Sequence, residues 1–219
     1  MPVITTGFKP KEHGFRFVNS FNFDAKFDLP LVGQVDLGKI VYGLCGGMCF
    51  AATDYYMLSL PVPDYKRPEE IPSRFRNYLW DRQLDSLGLT TIPKVIEWML
   101  QDDLELAKRT ARNEAPKMRR RLDKGEPVIL ALIRAKGGGD PTQNHQVLAV
   151  GYEEDPVSRQ MTIRLYEPNH PGLEPTLTLN LAHPSQGIGI KQSTGEALRG
   201  FFVIPYRFQQ PPADLRAGL

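Results

Sequence analysis

Hydrophobic and polar positions along the chain fall into three regimes. The first forty residues show no sustained period. Within them, Phe15 to Pro30 alternates phenylalanine with polar residues, which predicts short strands or an extended arm laying its rings on the body. From residue 45 the pattern becomes helical. A helix is expected over residues 45–58. A second is expected to open near Pro72 and Ser73, face Phe75, Leu79 and Leu84 inward, and stop at Gly88. Thr90 or Thr91 can cap a third, with Pro93 in its first turn and Val95, Ile96, Met99 and Leu100 facing inward. A fourth runs from about Glu114 to Lys124, ended by Gly125. Beyond residue 126 the pattern changes to short branched runs: "PVILALIRA", "NHQVLAVGY", "MTIRLYE", "TLTLNL" and "GFFVIPY", with turn signals between them. Helices first and strands afterwards predict an α+β fold, with the N-terminal helices packed on one side of a mostly antiparallel C-terminal sheet. Trp80 and Trp98 are assigned to the core. One domain is expected over residues 1–208, its first forty residues an extended arm, with 209–219 a flexible tail.

Composition narrows the function classes. The chain has 219 residues and a formal charge of only +2, so no large electrostatic attraction to nucleic acid or anionic membrane is expected. The basic run Lys117–Arg121 reads as a solvated helix face. No apolar run approaches the roughly 20 residues of a membrane span, and the first residues lack a signal-peptide pattern. Two cysteines are not a disulfide framework. A cytoplasmic location, no cofactor and no metal are the expectations. The oligomeric state is not legible.

Both cysteines lie in "YGLCGGMCFAATDYY", at the mouth of the first helix. A helix N-terminus favours negative charge through its free N–H groups and dipole, and thiolate chemistry needs that environment together with access. Gly46 and Gly47 each cost helix stability, about 0.5–1 kcal/mol. Such a pair suggests close approach around the sulfur. Cys45 is therefore the candidate nucleophile, with its own N–H available to an oxyanion. Cys49, one turn on, reads as a small buried hydrophobe.

A cysteine nucleophile needs a histidine base, and the histidine needs an acceptor. His13 and His183 sit in irregular segments and His170 in a turn. His145 opens the apolar strand "HQVLAVGY", where a polar ring must find a partner or belong to a site. In "MTIRLYEPNHP", strand alternation places Glu167 on the apolar face with Met161, Ile163 and Leu165. Pairing of the two strands would bring Glu167 to His145. Asn169 is the competing acceptor. The loop "RAKGGGDPTQN" before His145 is a candidate gate, and lacks the context of a phosphate cradle.

With Cys45, His145 and Glu167 in that order, the chain resembles the papain-like cysteine peptidase superfamily, and most nearly its bacterial branch of bacteriocin-leader-processing, double-glycine peptidases. Cys45-Gly46 with the following helix ending in Tyr55-Tyr56, the strand from His145 to Gly151-Tyr152, and Tyr166-Glu167-Pro168-Asn169 are similar to that branch's three motifs. The resemblance implies a papain-like fold and a thiol hydrolase of peptide or amide substrates, using Cys45, His145 and Glu167 or Asn169. There are two departures. The branch carries a glutamine about half a dozen residues before the cysteine, where this chain has "LGKIVYGL" and Gln34 lies too far back. It also usually has aspartate where Glu167 stands. A second alignment, on Gly47-Met48-Cys49-Phe50-Ala51, would make Cys49 the nucleophile. The alternative function is a catalytically silent peptide-binding module of the same fold. A weaker one is a metal site on Cys45, His145 and Glu167.

Overall fold

The computed structural model describes residues 3–21, 27–29, 33–35 and 43–216. In chain order they contain strand β1 (Val3–Thr5), helix α1 (Pro10–His13), a hairpin of β2 (Phe27–Leu29) and β3 (Gly33–Val35), and helix α2 (Cys45–Met57). Helices α3 (Ser73–Leu87), α4 (Thr91–Leu100), α5 (Asp103–Arg109) and α6 (Ala115–Leu122) follow, with a π turn over Thr110–Glu114 between the last two. Strands β4 (Val128–Ile133), β5 (His145–Glu154), β6 (Gln160–Tyr166), β7 (Thr176–Asn180), β8 (Lys191–Gln192) and β9 (Gly200–Val203) complete the sheet, before a last turn, α7 (Ala213–Arg216). The architecture is α+β, as the order of apolar patterns predicts.

The sheet runs β8-β7-β6-β5-β4-β9, every described pairing antiparallel, and β1 pairs with the far half of the long β5. Side-chain alternation divides β4 between two cores. Ile129, Ala131 and Ile133 pack with residues of α2, α3 and α4. Val128, Leu130 and Leu132 pack with Ala115, Met118 and Leu122 of α6. Helices therefore cover both faces, not one. That is why β4 reads as an unbroken apolar run instead of alternating with polar residues.

Three further expectations are corrected. On α3 the inward stripe is Phe75, Tyr78, Leu79, Arg82, Gln83 and Ser86, while Leu84 lies on the outer face. On α4, Trp98 and Met99 enter the core but Ile96 and Leu100 are exposed. The tail is docked over residues 209–216: the Gln209 N–H donates to Asp54 Oδ1, and Leu215 C=O accepts from the Tyr55 hydroxyl. The N-terminal arm behaves as its alternation predicts where it is described. Phe15 and Phe17 are buried and stacked, and Phe15 meets Tyr55 and Phe75 edge-on.

Candidate functional site

Antiparallel pairing explains how residues 145 and 167 meet. Leu148 on β5 lies opposite Tyr166 on β6, so the first residue of β5 and the residue just past β6 share one end of the sheet. Helix α2 packs across that end with Cys45 as its first residue. The three predicted groups converge there.

Glu167 is fully buried. Its Oε1 accepts a hydrogen bond from His145 Nε2 and another from the Asn169 N–H at 3.0 Å. Its Oε2 accepts from Gln192 Nε2 at 2.9 Å. Gln192 Oε1 in turn accepts from Arg134 Nη2 at 2.9 Å. Burial works against charge on Glu167, but His145 and the Asn169 N–H outweigh it and hold its pKa below the usual carboxylate value. Burial also works against charge on His145. There the Glu167 carboxylate and the Cys45 sulfur prevail, pushing the pKa up to about 10. Both neighbours favour the protonated ring. Nε2 belongs to Glu167, and Cys45 lies close enough to act on the ring's charge.

Asn169 does not orient the ring. Its side-chain oxygen accepts from Asn19 Nδ2 at 3.1 Å. Asn19 Oδ1 accepts the Leu44 N–H, at the cap of α2. Asn19 lies so close to Gly43, whose φ is +88°, that a Cβ there would be 2.5 Å from its side chain. This asparagine of the N-terminal arm joins the cap of α2 to the segment carrying Glu167.

The two first-turn glycines have a different cause from the one their sequence suggests. A Cβ on Gly47 would sit 2.1 Å from the Leu79 carbonyl oxygen, and one on Gly46 would sit 2.1 Å from Ser86 Oγ. Both atoms belong to α3. The glycines let two helices touch rather than clear space around the sulfur. Gln83 of α3 uses that proximity to accept the Gly47 N–H at 2.8 Å. Among the described residues, the N–H groups of Cys45 and Gly46 have no acceptor in protein.

Cys49 is not the thiol of this site. Its sulfur is fully buried, contacts the Gln146 carbonyl at 3.7 Å, and burial pushes its pKa well above the usual thiol value. His170 pairs with Glu196, and His13 packs against Phe8 and Tyr56. Among the described residues, no three His, Cys, Asp or Glu side chains are grouped to hold a metal ion. Of the stretch "LGKIVYGL", where an upstream oxyanion glutamine is expected, residues 37–42 lie outside the described residues.

Cys45 and His145 open onto a pocket of about 80 Å³. One wall is Ile92, Val95 and Ile96 of α4. Ile96, which stays out of the core, therefore lines this pocket beside the partly buried Ile92 and Val95. Pro141 and Asn144, from the glycine-rich loop, form the rim. That loop is tied down rather than free: Asn144 Oδ1 accepts the N–H groups of Arg134 and Ala135, and the Gly137 N–H donates to the Met99 carbonyl.

Asn19, Gln83, Gln192 and Arg134 escape the sequence reading. Gln83 leaves a trace, since it continues the Phe75–Leu79 stripe at helical spacing, and a polar residue there needs a reason. Gln192 leaves none, because its strand is two residues long. No protein-family model, curated protein or solved structure matches the chain.

Proposed function

We propose that the chain is a papain-like thiol hydrolase of amide bonds, with Cys45 as nucleophile, His145 as acid and base, and Glu167 as the group that holds the ring. The observation carrying this reading is the buried His145 ring, bonded to Glu167 through Nε2 and lining one pocket with Cys45. A histidine held beside a sulfur can take its proton and return one to a leaving group. The order of the three residues and their motifs support the same reading.

In this mechanism the Cys45 sulfur attacks the amide carbonyl and an S–C bond forms. The oxyanion is met by the N–H of Cys45 and the dipole of α2. His145 delivers its proton to the departing nitrogen as the C–N bond breaks. Water then attacks the thioester and gives its proton to His145. The C–S bond breaks, releasing the acid and returning the ion pair. The apolar wall of α4 receives a small apolar side chain of the substrate.

Alkylation tests this. Iodoacetamide should label Cys45 at pH 6 nearly as fast as at pH 8.5, and His145→Ala should slow the pH 6 reaction by about tenfold or more. Equal rates in the two proteins would exclude the pair. A silent peptide-binding module would instead bind peptides with an unreactive Cys45.

A further inference from the structure

Helix α6 and the turn after it place four basic residues on one face: Lys117, Arg120, Arg121 and, just past the helix, Lys124. Spacings of three and four residues put like charges side by side, which costs an isolated helix about 0.2–0.5 kcal/mol per pair. The stripe lines an open groove of about 550 Å³ together with Lys94, Thr90 and Thr91. Phe202, Val203 and Pro205 also line it. Glu114 serves Lys94 and Lys117, and Glu126 serves Arg121. Arg120 and Lys124 meet no acid among the described residues. The groove adjoins the candidate site, since Thr91, the first residue of α4, lines both it and the Cys45 pocket.

We propose that this groove holds an acidic segment of the polypeptide substrate whose amide bond reaches Cys45. The proposal rests on the hydrolase reading and adds the substrate class. Charge complementarity argues for carboxylates, and the apolar and hydroxyl-bearing lining suits a peptide's side chains and backbone. A nucleic acid is the poorer occupant. The chain's net charge is only +2, and the single aromatic ring lining the groove, Phe202, is buried and gives bases no stacking platform.

The test uses the intact protein and three electrophiles. These are iodoacetamide, a chloroacetyl group joined through Gly-Ser linkers of graded length to a hexaglutamate, and the same series with hexaglutamine. At 50 mM salt, the best glutamate probe should label Cys45 about tenfold faster than its glutamine twin, a difference of about 1.4 kcal/mol. The advantage should fall to about parity in Arg120→Glu/Lys124→Glu and in 0.5 M NaCl, where charges beyond a few ångströms are screened. Iodoacetamide rates should not change in the variant. Equal rates for the glutamate and glutamine probes in the unaltered protein would overturn the proposal, as would an advantage that survives the double substitution. Slow iodoacetamide labelling of Cys45 at pH 6 would instead count against the hydrolase reading. In that case fluorescence polarisation decides the groove alone. Labelled hexaglutamate binding that is weakened tenfold by the double substitution supports it. Tighter binding of a single-stranded oligonucleotide or of inorganic phosphate overturns it.

Discussion

Glu167→Gln removes one charge from the site while keeping its shape. The carboxylate accepts three hydrogen bonds, from His145, the Asn169 N–H and Gln192. An amide offers one oxygen and turns its nitrogen on one of those donors. If the nitrogen faces Gln192, two donors collide. Turning Gln192 around would then withdraw the oxygen that accepts from Arg134. His145 loses the nearer of its two counter-charges and keeps only the Cys45 sulfur, so its pKa should fall from about 10. The fold should lose about 3–5 kcal/mol at neutral pH, the usual cost of breaking a buried pair. The chain has only four histidines, so ring ¹⁵N shifts can be followed individually by NMR between pH 5 and 10. The unaltered His145 should remain protonated above pH 8, and that of Glu167→Gln should lose its proton at a distinctly lower pH. The same titration curve in both proteins would refute the reasoning.

Other outcomes follow from the same contacts. The pair also sets a stability window. Glu167's share, from a depressed pKa, is complete above its unfolded value near 4.5 and lost as pH falls through the folded value. His145's share, from a raised pKa, is complete below 6.5 and lost as pH rises towards about 10. Urea midpoints should therefore peak between about pH 4.5 and 6.5, and the decline between 6.5 and 10 should flatten in His145→Ala. Gln192→Ala leaves Glu167 Oε2 and Arg134 Nη2 each without the partner it has here. It should cost about 1–3 kcal/mol by urea unfolding and slow Cys45 alkylation at pH 6. An unchanged midpoint and rate would remove Gln192 from the site. Gly47→Ala forces a methyl to 2.1 Å from a backbone oxygen of α3. It should destabilise by about 1–3 kcal/mol, although alanine is the better helix former, and a gain in stability would show that the helices can part freely.

The strands were legible because their branched residues come in runs bounded by turns, and the meeting of His145 and Glu167 followed from pairing two of them. A polar residue at the end of an apolar strand carries a debt that only a partner can settle, and that signal survives in one dimension. Helix faces were less legible. Leu84, Ile96 and Leu100 look inward by type, yet Arg82 and Gln83 occupy the α3 interior. Arg82 does so because Asp54 and the Arg207 carbonyl are there to receive it, partners 28 and 125 residues away. The segment 103–114 hid its helix because a π turn breaks the 3.6-residue period. Asn19 and Gln192 act through contacts 150 and 25 residues distant, which no local pattern encodes.

The helix beginning at Cys45 is enclosed on every side, with Cys45 through Tyr55 all buried. It has no polar face to present to water and two glycines in its first turn, so it has little reason to form alone. What encloses it comes from both ends of the described chain: Asn19 at the cap, and the segment reaching Leu215 at the tyrosines. Placement of the Cys45 sulfur therefore depends on contacts from distant parts of the chain. A chain missing either clasp, or still being synthesised, lacks part of what holds this helix in place. Under the proposed function, brief alkylation of this one atom becomes a gauge of whether the whole polypeptide has folded.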